Sequence, residues 1–119
     1  MGYRILVIED SPVVRRLIEV CLRAGDIEVI TREDGPTGLE AVTSESPDLV
    51  LLDIGLPGID GWEVLRGIRS DPATMTVPVV VLTAHADAQI RADEGGANAF
   101  LAKPFQPQNL RDAVLALIT

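Results

Sequence analysis

The sequence predicts a doubly wound α/β fold, in which five parallel strands alternate with five helices. Short apolar runs alternate along the chain with longer amphipathic stretches, always in the order strand then helix. This alternation is typical of a parallel sheet covered by helices on both faces. Three of the runs, ILVI, LVLL and VVVL, are continuously apolar, as expected for strands that are buried on both faces.

Five apolar runs are the predicted strands. They are residues 4–8, 27–31, 48–52, 77–82 and 99–102. The second run is interrupted by Glu28, and the fifth is short and only mildly apolar, so we expect these two at the edges of the sheet. The resulting strand order, 2-1-3-4-5, is that of a flavodoxin-like (βα)5 fold with a five-stranded parallel sheet.

Five amphipathic stretches are the predicted helices. They are residues 12–24, 36–44, 62–70, 87–94 and 108–118. Ser11-Pro12 offers a capping hydroxyl followed by a proline in the first turn, and Gly25 can end that helix. Gly35-Pro36 and Gln106-Pro107 are expected to open the second and fifth helices in the same way. Asp71-Pro72 ends the third.

Composition restricts the class of protein. The chain has 119 residues, of which 47% are hydrophobic, enough for one domain with a core. The formal net charge is −8 and the ten lysines and arginines are scattered, so we expect no direct nucleic-acid binding. We expect no membrane association, since no apolar run approaches the ~20 residues of a span. A single cysteine, Cys21, fits a reducing cytoplasm.

Acidic residues follow two of the predicted strands. Glu9 and Asp10 end the first, and Asp53 ends the third. In this strand order, ligands bind at the carboxyl ends of the strands, where the order reverses between strands 1 and 3. Three carboxylates crowded there either take up a proton or hold a cation, and Mg²⁺ is the hard ion that oxygen ligands favour. Gly55 would let a loop carbonyl turn toward the ion.

Two further polar residues follow the fourth and fifth strands. The fourth run leads into Thr83 and the fifth into Lys103-Pro104. A hydroxyl and an ammonium beside a metal ion and an aspartate suit the oxygens of a phosphoryl group. The aspartate can then be the nucleophile, which gives an aspartyl phosphate.

These features, in this order along the chain, resemble the receiver domain of two-component response regulators, including the single-domain chemotaxis regulators. The resemblance extends over essentially all of residues 1–119, which we expect to form a single receiver domain. It rests on Glu9-Asp10, on Asp53 within DIGLPGIDG, on Thr83 within LTA, on Phe100 and on Lys103-Pro104. Each feature is weak alone, whereas the ordered set at successive strand ends is specific.

The resemblance implies a phosphoryl acceptor and a metal site. Asp53 would take a phosphoryl group from a histidine kinase or a histidine phosphotransfer protein. Asp10 and Asp53 would bind Mg²⁺ directly, together with the carbonyl of Gly55. Glu9 would act on the ion mostly through water.

The resemblance also implies a conformational switch. Lys103 would pair with the phosphoryl oxygens, Thr83 would move to hydrogen-bond them, and Phe100 would swing inward behind it. The Lys103–Pro104 peptide is typically cis in this family. The modified protein would control an output protein or an attached output domain, as a monomer or as a phosphorylation-dependent homodimer. Its own catalysis would be limited to phosphoryl uptake and slow autodephosphorylation.

One segment departs from the family pattern. The stretch between Thr83 and Lys103 is about two residues shorter than usual. Its helical part, DAQIRADEGG, has few apolar residues. We therefore expect a short, shifted or mobile fourth helix.

Three other functions stay open at this point. A degenerate receiver would act only as a protein-interaction module. An Mg²⁺-dependent phosphatase with an aspartate nucleophile would usually carry a second aspartate two residues later, where this chain has Gly55. A flavin- or nucleotide-binding domain would need a phosphate-binding loop after the first strand, where the sequence is EDSPVV.

Overall fold

One parallel sheet of five strands forms the centre of the computed structural model, which describes residues 2–23, 26–56, 58, 60–84 and 96–118. The strands are β1 (Tyr3–Ile8), β2 (Ile27–Arg32), β3 (Leu49–Asp53), β4 (Val79–Thr83) and β5 (Ala99–Ala102). They pair in the order β2-β1-β3-β4-β5, and every pair is parallel. The predicted fold class, strand order and edge strands are therefore confirmed.

Helices cover both faces of the sheet. Within the described residues they are α1 (Pro12–Leu22), α2 (Gly35–Ser44), α3 (Gly61–Ser70) and α4 (Pro107–Ile118). The helix predicted at 87–94 lies outside the described residues, and so does Gly25, which was expected to end the first helix. No helix among the described residues has the length and apolar character that crossing a membrane requires.

Side-chain caps begin three of these helices. The Ser11 hydroxyl accepts a hydrogen bond from the Val14 amide at 3.3 Å, which confirms the predicted cap of α1. The second helix begins at Gly35-Pro36 as predicted, but Gly35 does not cap it. Asp34 does so instead, since its carboxylate accepts from the amide and hydroxyl of Thr37, bonds that a glycine cannot form. Asp60 caps α3 in the same manner.

Alternating side chains of the three inner strands enter two separate cores. One core joins β1, β3 and β4 to α2 and α3. The other joins the opposite face of the same strands to α1 and α4. Every residue of β3 and β4 is buried. Burial on both faces explains why these strands have no polar residue before their last position.

Helix α2 lies unusually close to β1, just before the strand ends. A Cβ placed on Gly38 would lie 2.6 Å from Cδ1 of Ile8, and two further atoms of that side chain are 2.8 Å away. Ile8 is fully buried and directly precedes Glu9. The absence of a side chain at Gly38 thus lets α2 pack against the end of β1.

We predict that Gly38→Ala lowers the free energy of unfolding by about 1–3 kcal/mol, because the added methyl overpacks the core at Ile8. The helix propensity of alanine, worth up to ~1 kcal/mol over glycine, acts in the opposite direction. Urea denaturation measures the difference. The control is Gly67→Ala in α3, whose Cβ would meet only the flexible end of Leu39 at 3.0 Å. If Gly38→Ala is as stable as Gly67→Ala, the packing argument is wrong.

Candidate functional site

The carboxyl ends of four strands deliver polar side chains to one edge of the sheet. Glu9 and Asp10 follow β1, and Asp53 is the last residue of β3. Thr83 is the last residue of β4, and Lys103 follows β5. The register pairs Asp53 with Leu82 and Thr83 with Ala102, so these positions lie side by side.

Three carboxylates form a compact acidic cluster at this edge. Glu9, Asp10 and Asp53 each offer an oxygen, and these oxygens all lie within 4.8 Å of one another. Glu9 is fully buried and Asp53 is 5% exposed, whereas Asp10 is exposed. The cluster is therefore shielded from solvent at Glu9 and Asp53 and open to solvent at Asp10. Its donor set consists of hard oxygen atoms, which fits Mg²⁺.

A lysine from the other end of the chain lies among these acids. Nζ of Lys103 is 2.6 Å from Oε1 of Glu9 and 3.3 Å from Oδ1 of Asp53. Three carboxylates and one ammonium leave an excess of two negative charges in the cluster. That excess attracts a cation, and the lysine alone does not neutralise it.

Burial and pairing shift the pKa values of Glu9 and Lys103. Burial of the Glu9 carboxylate raises its pKa, and its hydrogen bonds with Lys103 and Ser11 offset only part of that rise. For Lys103, burial of the ammonium lowers the pKa. The hydrogen bond with Glu9 and the charge of Asp53 outweigh this effect, so the pKa is raised overall. Lys103 thus keeps its positive charge at neutral pH.

The turn from β1 into α1 is fixed by hydrogen bonds. The Ser11 amide donates to Oε2 of Glu9 at 3.1 Å, and the Glu9 amide donates to the carbonyl of Arg32 at 3.0 Å. Nη1 of Arg15 donates to the carbonyls of Glu9 and Asp10, at 2.9 and 3.1 Å. These contacts fix the backbone positions of Glu9 and Asp10.

The loop after β3 folds back on itself beside Asp53. The Gly55 amide donates to Oδ1 of Asp53 at 3.0 Å, and the Gly61 amide donates to the carbonyl of Ile54 at 3.2 Å. A Cβ on Gly61 would lie 2.3 Å from Cα of Ile54, so this close approach requires glycine. Gly55 therefore contacts the Asp53 carboxylate, while the metal-binding role of its carbonyl stays a prediction.

The predicted switch residues lie on β4 and β5. Thr83 is 1% exposed, and its carbonyl accepts from the Lys103 amide at 2.7 Å. Phe100 is partly buried and packs against the core beneath α2 and α3, beside its register partner Val81. The Lys103–Pro104 peptide is cis, as the resemblance implied. Movement of Thr83 or Phe100 stays a prediction.

Sequence reasoning brought these residues to one edge of the sheet but did not predict the direct contact between Lys103 and Glu9. The assignment of Lys103 to phosphoryl oxygens and of Glu9 to water-mediated metal binding stays a prediction. Arg15 and Gly61 were also missed, because their roles depend on contacts across turns.

The parallel sheet in the order β2-β1-β3-β4-β5, with an acidic cluster at its carboxyl edge, defines a flavodoxin-like class of protein. The sequence model of the response regulator receiver domain matches residues 5–115. This chain therefore belongs to the response regulator receiver family.

One relative is the response regulator PleD of Caulobacter vibrioides (strain NA1000 / CB15N). The two are 43% identical over 106 residues, which cover 87% of this chain and 23% of PleD. The chain thus spans about a quarter of the length of this relative.

Solved structures of a response regulator and of a receiver domain are also similar to this chain. A putative response regulator from Chloroflexus aurantiacus J-10-fl is 36% identical and superposes with a TM-score of 0.93, covering 99% of this chain and 98% of the other. The receiver domain of the sensor histidine kinase PA1611 from Pseudomonas aeruginosa PAO1 is 33% identical, with a TM-score of 0.89 and the same coverage. That structure has a magnesium ion coordinated in its active-site cleft.

We predict that Asp10→Asn raises the free energy of unfolding of the metal-free protein. The substitution removes one of three mutually repelling carboxylates and keeps the side-chain shape. Urea denaturation in EDTA measures this change. The control is Glu40→Gln on α2, which removes an exposed carboxylate outside the cluster. Equal stability of Asp10→Asn and the control would show that the cluster carries no net repulsion.

Proposed function

We propose that residues 1–119 form a single phosphorylation-activated receiver domain in which Asp53 accepts a phosphoryl group in the presence of Mg²⁺. One observation carries the proposal: Asp53 is nearly buried at the sheet edge, yet its carboxylate lies 3.3 Å from the ammonium of Lys103 and belongs to an acidic cluster that suits a divalent ion. An isolated structural aspartate would not need this arrangement.

The metal ion would be held by Asp10 and Asp53, together with the carbonyl of Gly55. Glu9 would act on it mostly through water, because both of its oxygens already accept hydrogen bonds, one from Lys103 and one from the Ser11 amide. When bound, the ion neutralises charge on the phosphoryl oxygens. The exposed side of Asp10 gives the ion and the donor access from solvent.

In the proposed transfer, a carboxylate oxygen of Asp53 attacks the phosphorus of a phosphohistidine. The new O–P bond forms as the N–P bond breaks, and the electron pair of the N–P bond leaves with the imidazole. The Gly55 amide and Lys103 both lie against Oδ1 of Asp53, so the other oxygen is favoured as the nucleophile. Lys103 would then pair with the transferred phosphoryl group while it keeps its contact with Glu9.

The same event would bias the protein between two conformations. Thr83, at the end of the neighbouring strand, would hydrogen-bond the phosphoryl group and move toward it. Phe100 would swing inward behind Thr83 from its partly buried position. A contact made only in the phosphorylated state shifts the population toward the active conformer. That conformer would control an output protein or an attached output domain.

Phosphatase activity on other substrates is the weaker alternative. An enzyme with an aspartate nucleophile usually has a second aspartate two residues later as acid and base. Gly55 occupies that position and contributes only its amide to Asp53. We therefore propose that catalysis is limited to phosphoryl uptake and slow autodephosphorylation.

The test is intact mass after incubation with acetyl phosphate, with and without Mg²⁺. We expect one phosphoryl adduct on the wild type that requires Mg²⁺ and is absent from Asp53→Asn. Asp112→Asn, which removes an exposed carboxylate of α4, is the control and should be modified like the wild type. Steady turnover of para-nitrophenyl phosphate would instead indicate a phosphatase. An adduct that persists in Asp53→Asn would exclude Asp53 as the acceptor.

A second experiment tests which class of protein can donate the phosphoryl group. An autophosphorylated histidine kinase or histidine phosphotransfer protein replaces acetyl phosphate, and the radiolabel is followed onto this chain. Transfer to the wild type but not to Asp53→Asn supports a two-component phosphorelay. Failure of every donor, with no Mg²⁺ binding, would favour a degenerate receiver that acts only as an interaction module.

A further inference from the structure

The turn that carries Glu9 and Asp10 is held by an arginine of the following helix. We propose that Arg15 is a positioning residue for the divalent-ion site: its guanidinium bridges the two carbonyls and thereby fixes where the two carboxylates stand. The inference rests on the proposed function, since it concerns the ion that this site would bind.

The contacts of Arg15 are specific. Its Nη1 atom donates to the carbonyl of Glu9 at 2.9 Å and to that of Asp10 at 3.1 Å. Its own amide donates to the carbonyl of Ser11 at 2.9 Å. The side chain is half-buried. Hydrogen bonds from a charged donor are stronger than neutral ones, so the guanidinium constrains two successive residues of the turn, and the backbone amide of Arg15 holds the third.

Asp10 depends on this contact more than Glu9 does. Glu9 is buried and is also held by Lys103, the Ser11 amide and the carbonyl of Arg32. Asp10 is exposed, so its position follows from that of its backbone. The hydrogen bond from Arg15 to the Asp10 carbonyl therefore orders a proposed metal ligand that packing in the core does not fix.

Charge and geometry make opposite predictions for the removal of Arg15. The guanidinium is a positive charge close to a cation site, so its removal should tighten Mg²⁺ binding if electrostatics alone mattered. If Arg15 acts by positioning, its removal should weaken Mg²⁺ binding even though a repelling charge is lost. The sign of the change therefore separates the two roles.

The first experiment is calorimetric titration of Mg²⁺ into the wild type, Arg15→Gln and Arg16→Gln. Arg16 is the matched control, because it is exposed, has the same charge and makes its ion pair with Glu19 at 3.6 Å. We expect Arg15→Gln to raise the Kd for Mg²⁺ by about 10-fold, as loss of an outer-shell partner does. Arg16→Gln should leave the Kd unchanged or lower it. Arg15→Lys, which keeps the charge and one donor group, should lie between Arg15→Gln and the wild type.

The second experiment needs no metal. Amide hydrogen exchange of Ser11 in EDTA reports the order of the turn, because that amide donates to the Glu9 carboxylate. We expect faster exchange in Arg15→Gln and unchanged exchange in Arg16→Gln. Urea denaturation of each variant shows whether it is folded, and Arg15→Lys replaces Arg15→Gln if the latter is not.

The outcomes separate this inference from the proposed function. If the wild type binds no Mg²⁺, the proposed function fails, and hydrogen exchange alone decides whether Arg15 orders the turn. If the wild type binds Mg²⁺ but Arg15→Gln binds it as tightly or more tightly, the positioning role is overturned. Unchanged exchange of Ser11 in Arg15→Gln overturns it as well.

Discussion

The ion pair between Lys103 and Glu9 is the contact on which the site depends. It joins residues 94 positions apart and connects the end of β1 with the end of β5, across β3 and β4. A fully buried glutamate beside two aspartates would be costly without a positive partner. The lysine provides that partner and at the same time reaches Oδ1 of Asp53. Asp53 therefore lies beside a positive charge in a cluster that is negatively charged overall.

The topology of the sheet makes this contact possible. Parallel strands bring all of their carboxyl ends to one edge, and the order β2-β1-β3-β4-β5 puts the two acidic ends on adjacent strands. Close packing then fixes each end: Gly38 lets α2 approach Ile8, and Gly61 lets α3 approach Ile54. The inner strands β1 and β3 thus bring Glu9, Asp10 and Asp53 together. The geometry of the cluster depends on glycine positions that contribute no side chain to it.

The sequence was sufficient for those parts of the structure that follow from local pattern. Continuous apolar runs predicted the buried strands, because a strand that is buried on both faces consists of apolar residues. The charged residue Glu28 indicated that the second strand lies at an edge of the sheet. The acidic residues at the carboxyl ends of the first and third strands predicted the cluster, because parallel strands bring these ends to one edge of the sheet. The pair Glu9–Lys103, the cap at Asp34 and the bridge from Arg15 could not be predicted this way. They depend on side-chain reach and turn geometry, which a pattern of residue types does not encode.

A double-mutant cycle on Glu9→Gln and Lys103→Met tests the central claim, that Lys103 stabilises the buried carboxylate of Glu9. Free energies of unfolding are measured in urea with EDTA for the wild type, both single variants and the double variant. We predict a coupling energy of about 1–3 kcal/mol, with Lys103→Met destabilising the protein much less when Glu9 is already neutral. Single effects that add to within ~0.5 kcal/mol would show that the two residues are independent and would contradict the account.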